Sequence, residues 1–133
     1  MDRFMRWMLV VVVVMVVAAP AYANEITHIW QCEMEDGTTE EQVEELAQVW
    51  LEGARKMEGG EGFNVAVFFP VVVGNTGQTD FYFVATAPSF TEWGKFWDAY
   101  DDDSPVAKAD EMNAGKVICP DSALWEAVKI EVK

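Results

Sequence analysis

The polar and apolar positions after residue 24 fall into a clear succession of periods. From Ile26 to Glu35, Ile26, His28, Trp30, Cys32 and Met34 share one face and Thr27, Ile29, Gln31, Glu33 and Glu35 the other. That alternation predicts a strand with one strongly buried side, ended by a turn at Asp36-Gly37. From Thr39 to Met57 the period changes. Val43, Leu46, Ala47, Trp50, Ala54 and Met57 recur at three- and four-residue steps, which predicts a helix with a core stripe. Thr38 or Thr39 suits the N-cap, with Glu41 or Gln42 completing a capping box, and Gly59-Gly60 and Gly62 stop it.

The second half repeats the theme. Phe63 to Val73 and Asp80 to Ala87 are apolar on both faces and flank Gly74-Asn75-Thr76-Gly77, so they predict a hairpin, with Pro70 marking an edge or bulge. Ser89 caps a second helix with Glu92 at the capping-box position and Phe90, Trp93, Trp97 and Tyr100 as its inner stripe. Ser104-Pro105 opens a short helix through Met112. Val117 to Cys119 is a short apolar stretch, and Trp125 to Val132 alternates as the last strand. The order β-α-β-β-α-β, with one small extra helix, predicts an α+β ferredoxin-like fold: a four-stranded antiparallel sheet with two helices on one face.

Residues 1–23 have no place in that fold. Arg3 and Arg6 precede an uncharged run from Met8 to Ala19, and Pro20 and Ala21-Tyr22-Ala23 follow. A basic start, a short apolar run and an A-x-A site are the parts of a secretory signal peptide. A membrane-spanning anchor would want roughly 20 apolar residues. The expectation is a signal peptide over 1–23, a single domain over 24–133, a periplasmic or secreted location, and no stable membrane insertion after cleavage.

Cleavage would remove Arg3, Arg6 and Asp2, leaving seven basic and twenty-two acidic side chains and a net charge of −15. That balance argues against nucleic acid as a partner. In an oxidising compartment Cys32 and Cys119 are expected to pair as a disulfide, and the predicted topology makes the first and last strands neighbours. Their spacing of 87 is not that of a C-x-x-C redox motif. His28 is the only histidine, so no zinc cluster can be assembled. Asp98, Asp101, Asp102 and Asp103 lack the spacing and loop glycine of an EF-hand and read as a solvated helix end. No metal and no cofactor is expected.

The segment SFTEWGKFWDAYDDD (Ser89 to Asp103), following the strand FYFVATA, resembles the second helix of the dimeric α/β-barrel superfamily, which includes antibiotic-biosynthesis-monooxygenase-like and stress-responsive barrel proteins. The resemblance implies a homodimer whose sheets pack face to face, and an apolar pocket between sheet and helices in each subunit. Haem-degrading members need an axial histidine near the second helix, and His28 lies in the first strand. Cofactor-free oxygenases of the superfamily set tryptophan, asparagine and histidine or tyrosine around an aromatic substrate. The candidate ligand-binding residues here are Trp30, Trp93 and Trp97; the candidate catalytic residues are His28, Asn64 and Tyr82. No motif spacing ties these together. The leading expectation is a dimeric exported domain that binds a small apolar or aromatic molecule or a protein partner. The alternatives are a cofactor-free monooxygenase or isomerase, and an interaction protein with a filled core.

Overall fold

In a computed structural model of the chain, residues 24–71 and 79–132 are described. The expected signal peptide, the end of the first hairpin strand and its turn lie outside them. Strand β1 (Glu25–Met34) comes first. Helix α1 (Glu40–Arg55) follows, and its capping box is complete: the Thr39 hydroxyl accepts from the Gln42 N–H while the Gln42 side chain accepts from the Thr39 N–H. Strands β2 (Asn64–Phe68) and β3 (Phe81–Ala87) form the hairpin. Helix α2 (Phe90–Asp98) is capped by Ser89, whose hydroxyl accepts from Glu92 N. Helix α3 (Pro105–Asn113) starts on Ser104 with proline in its first turn, and β4 (Val117–Ala127) ends the domain.

The strands lie in the order β2-β3-β1-β4, every neighbour antiparallel. This is the ferredoxin-like arrangement that the element order predicts. One face of the sheet packs on the helices. Ile26, Ala85 and Ala87 meet Trp50, Ala54, Phe63, Phe96 and Val106 in the main core; Cys32, Val43 and Phe81 form a second cluster beside it. All six stripe positions predicted for α1 are buried.

Gly59 and Gly60 close the joint between α1 and α2. Gly59 has φ of +81°, and a Cβ on Gly60 would stand 2.0 Å from the Ala54 carbonyl oxygen; only a residue without a side chain fits this approach. Arg55 then ties the end of α1 to β2, donating to the Phe63 carbonyl at 3.2 Å and to Asn64 Oδ1 at 3.1 Å.

Three expectations are corrected. β2 ends at Phe68, where its pairing with Tyr82 stops, and Pro70 lies beyond the ladder, to which it has no N–H to give. The buried residue of α2 is Phe96, fully enclosed, whereas Phe90 is 62% exposed. The stripe therefore runs Trp93, Phe96, Trp97, Tyr100. The last strand is Val117–Ala127, not the stretch from Trp125 to Val132; its register ends at Glu25 against Ala127. Val128, Ile130 and Val132 run past the end of β1 and are exposed.

A bulge explains how Cys32 meets Cys119. Gln31 pairs with Asp121 and Glu33 with Ile118, so Cys119 and Pro120 together oppose Cys32 alone. The extra residue turns Cys119 onto the helix-covered face and gives Pro120 a place inside a strand. The two cysteines are disulfide-bonded there.

Candidate functional site

Between the sheet and α1 lies a cavity of about 270 Å³. An engineered apolar cavity of about 150 Å³ holds benzene, so this one has room for a one- or two-ring molecule. Its floor is Trp30 from β1 with Phe81 and Phe83 from β3; one wall is Val43, Leu46, Ala47 and Trp50 of α1. Trp97 of α2 closes one end. Asp110, Asn113, Val117 and Cys119 surround the mouth. The rings are set edge to face: Trp30 and Trp50 lie 5.4 and 5.2 Å from Phe83 and 6.2 Å from each other. That is the favourable arrangement for aromatic pairs.

The mouth depends on a close contact between helices. A Cβ on Gly53 of α1 would stand 3.0 Å from the Pro105 carbonyl oxygen. The absence of a side chain there lets the first turn of α3 rest on α1, which carries Asp110 and Asn113 to the rim one and two turns later. Among the described residues Asp110 is the only ionisable side chain that lines the cavity. Its carboxylate accepts from the Tyr100 hydroxyl at 3.1 Å. Burial pushes its pKa above the usual carboxylate range, opposed by the Tyr100 and Trp50 side-chain hydrogen bonds. Tyr100 is itself pushed up by burial and by the neighbouring charges of Asp110 and Asp102.

Of the tryptophans expected to bind a ligand, Trp30 and Trp97 line the cavity and Trp93 does not; its ring lies 6.2 Å from that of Trp97. Trp93 and Trp97 each lie about 6 Å from His28, at 6.2 and 6.1 Å. His28 stacks on Trp30 at 3.6 Å. Its Nδ1 and the indole nitrogens of Trp93 and Trp97 are buried without hydrogen-bond partners. Burial lowers the His28 pKa from 6.5 to about 4, so the ring is neutral at pH 7 and a weak base.

Asn64 and Tyr82 stand elsewhere. Strand alternation puts Val65 and Phe83 toward the helices and turns Asn64 and Tyr82 to the opposite face. The three catalytic candidates therefore do not converge: His28 is on one side of the sheet and the other two on the other. Asn64 is held instead by Arg55. Among the described residues no group of three or more His, Cys, Asp or Glu side chains is placed to hold a metal ion, and no helix is long and apolar enough to cross a membrane.

Sequence reasoning missed the rim. Asp110 reads as one more acid in an acidic chain. The signal that could have found it is Tyr100, whose hydroxyl needs a partner when its ring joins an inner stripe.

Among the described residues no helix covers the opposite face of the sheet. Across its middle, Ala66, Val84, Ile29 and Ala123 are consecutive partners. Phe68 on one side and Trp125 on the other are 55% and 60% exposed.

No protein-family model and no curated protein matches the chain. Solved structures do. The Arabidopsis thaliana protein At3g17210 matches with a TM-score of 0.56 at 14% identity, covering 81% of this chain and 98% of its own. A dimeric ferredoxin-like protein of unknown function from Thermobifida fusca gives 0.49 at 20% identity, covering 80% and 92%. A dimeric protein of unknown function with a ferredoxin-like fold from Bacteroides fragilis gives 0.44 at 10% identity, covering 80% and 97%. At these identities the likeness is one of fold.

Proposed function

We propose that the chain is an exported domain that binds a small apolar or aromatic molecule in the cavity between sheet and α1, and pairs with a second copy through its uncovered sheet face. The observation that carries the binding reading is the cavity itself. It is a concave space of about 270 Å³ that opens to solvent, walled by aromatic rings and rimmed by a few polar groups. That is the make-up of a small-molecule site.

The pairing reading is supported by the apolar strip from Ala66 to Ala123 and by exposed Phe68 and Trp125. Exposed large apolar side chains on a sheet face mark an interaction surface, and a two-fold partner is the commonest occupant. Export is supported by the make-up of residues 1–23 and by the Cys32–Cys119 bond, which fits an oxidising compartment.

Catalysis has less behind it. A cofactor-free oxygenase or isomerase would rest on His28, whose pKa of about 4 is far from that of an efficient base at neutral pH. Binding is tested by titrating the protein with one- and two-ring aromatics while following tryptophan fluorescence. A saturable change is expected. Linear, unsaturable quenching by every compound would reject the reading.

A further inference from the structure

The cavity walls are hydrocarbon and aromatic, but its mouth carries one negative charge. Among the described residues Asp110 has no cationic partner: the ion pairs there are Lys95–Glu92 and Lys129–Glu25. On α3 its neighbours Lys108 and Glu111 are exposed, and neither is paired with it. From the segment before α3, Tyr100 donates to it, with Asp102 acting on Tyr100 as a further negative charge. From α1, Trp50 faces it. A carboxylate exposed at the rim is therefore held in place by the Tyr100 hydroxyl, with no counter-charge among the described residues. A neutral apolar guest would strip more water from it and leave it uncompensated, which costs free energy. An anion would meet both Asp110 and the net negative charge of the chain. A cation would meet attraction at long range from that net charge and at short range from the carboxylate. The rings of Trp30, Trp50 and Phe83 on the floor and wall add the quadrupole attraction that aromatic rings offer to organic ammonium groups.

We infer that the cavity selects a small organic cation, an ammonium group attached to an apolar or aromatic body, with the body among Trp30, Trp50 and Phe83 and the charge beside Asp110. This rests on the reading of the cavity as a binding site, and goes beyond it in naming the charge of the ligand.

The test compares two probes of the same shape. Benzyltrimethylammonium is the cation; neopentylbenzene, with carbon in place of the ammonium nitrogen, is its neutral counterpart. Binding is read by tryptophan fluorescence at pH 7.5 and low salt, on the wild-type protein and on Asp110→Asn, which keeps an acceptor for Tyr100 and Trp50. The cation is expected to bind the wild type about tenfold or more tightly than the neutral probe, the scale of one cation–π contact plus one partly desolvated charge pair. In Asp110→Asn the preference should fall several-fold, to the part that the aromatic walls alone supply. Equal binding of both probes to the wild type would overturn the charge assignment and leave the cavity reading standing. A cation preference undiminished in Asp110→Asn would overturn it too, by showing that the carboxylate contributes nothing to the selection. If neither probe binds, the cavity reading fails and the assignment falls with it.

Discussion

Gly53 lies so close beneath Pro105 that a Cβ on it would stand 3.0 Å from the Pro105 carbonyl oxygen. This contact seats α3 on α1 and so sets the height of Asp110 above the cavity. Gly53→Val should push the helices apart and cost about 1–3 kcal/mol, the usual range for overpacking. Denaturant unfolding measures the cost. Ligand affinity should fall with it, because the rim moves away from the walls. A variant of unchanged stability and affinity would show that the contact is not a constraint.

The Cys32–Cys119 bond links the second cluster to the bulge of β4. It closes a span of 87 residues. Replacing both cysteines with alanine should cost about 2–4 kcal/mol, chiefly by freeing the unfolded chain. Thermal melts of the oxidised wild type and the double variant measure it. The unreduced, unfolded wild type should show no free thiol.

His28 makes stability depend on pH in one direction. Its pKa is about 4 in the folded protein, lowered by burial from 6.5. Between those values the unfolded chain binds the proton and the folded one does not. The penalty is absent above about pH 6.5 and grows as pH falls toward 4. His28→Phe keeps a ring to stack on Trp30 and removes the titration. Its stability relative to wild type should rise by about 1–2 kcal/mol between pH 7.5 and pH 4.5, a figure discounted because the ring is only half withdrawn from solvent. Comparing the two proteins cancels the many carboxylates they share. A difference that does not change with pH would mean that the ring is well solvated in the folded state.

Ile29 stands in the middle of the uncovered face, between Val84 and Ala123. If that face pairs two copies, light scattering should give twice the chain mass, and Ile29→Glu should give a folded single chain, since a buried unpaired charge is not tolerated at the centre of such an interface. A wild-type protein that is monomeric at micromolar concentration would refute the pairing.

The sequence made the architecture legible because each element carries its own period and its own punctuation. Thr39, Ser89 and Ser104 are caps in the structure as they are in the pattern. The last strand was misplaced because Pro120 breaks the pattern of Val117–Ala127 while the residues after Trp125 alternate cleanly. Pairing, not alternation, decides where a strand ends, and the register between β1 and β4 ends at Glu25 against Ala127. The site was half legible. Trp30 and Trp97 sit on predicted inner stripes, so their place beside a sheet–helix cavity follows from the fold. Asp110 and Gly53 matter through the way α3 lies on α1, a long-range contact that no local pattern encodes. Asn64 and Tyr82 were candidates by residue type alone, and strand alternation turns both from the cavity.

The central claim is that the space among Trp30, Trp50 and Phe83 is a binding site. Its most direct test is a fluorescence titration with a two-ring aromatic on wild type and on Ala47→Phe, in which a phenyl ring is added to the wall of α1. The account predicts a saturable change in the wild type that is lost in Ala47→Phe, with that variant folded and at least as stable because apolar space has been filled. A wild type that gives no saturable change, or an Ala47→Phe protein that binds as well as the wild type, would contradict it.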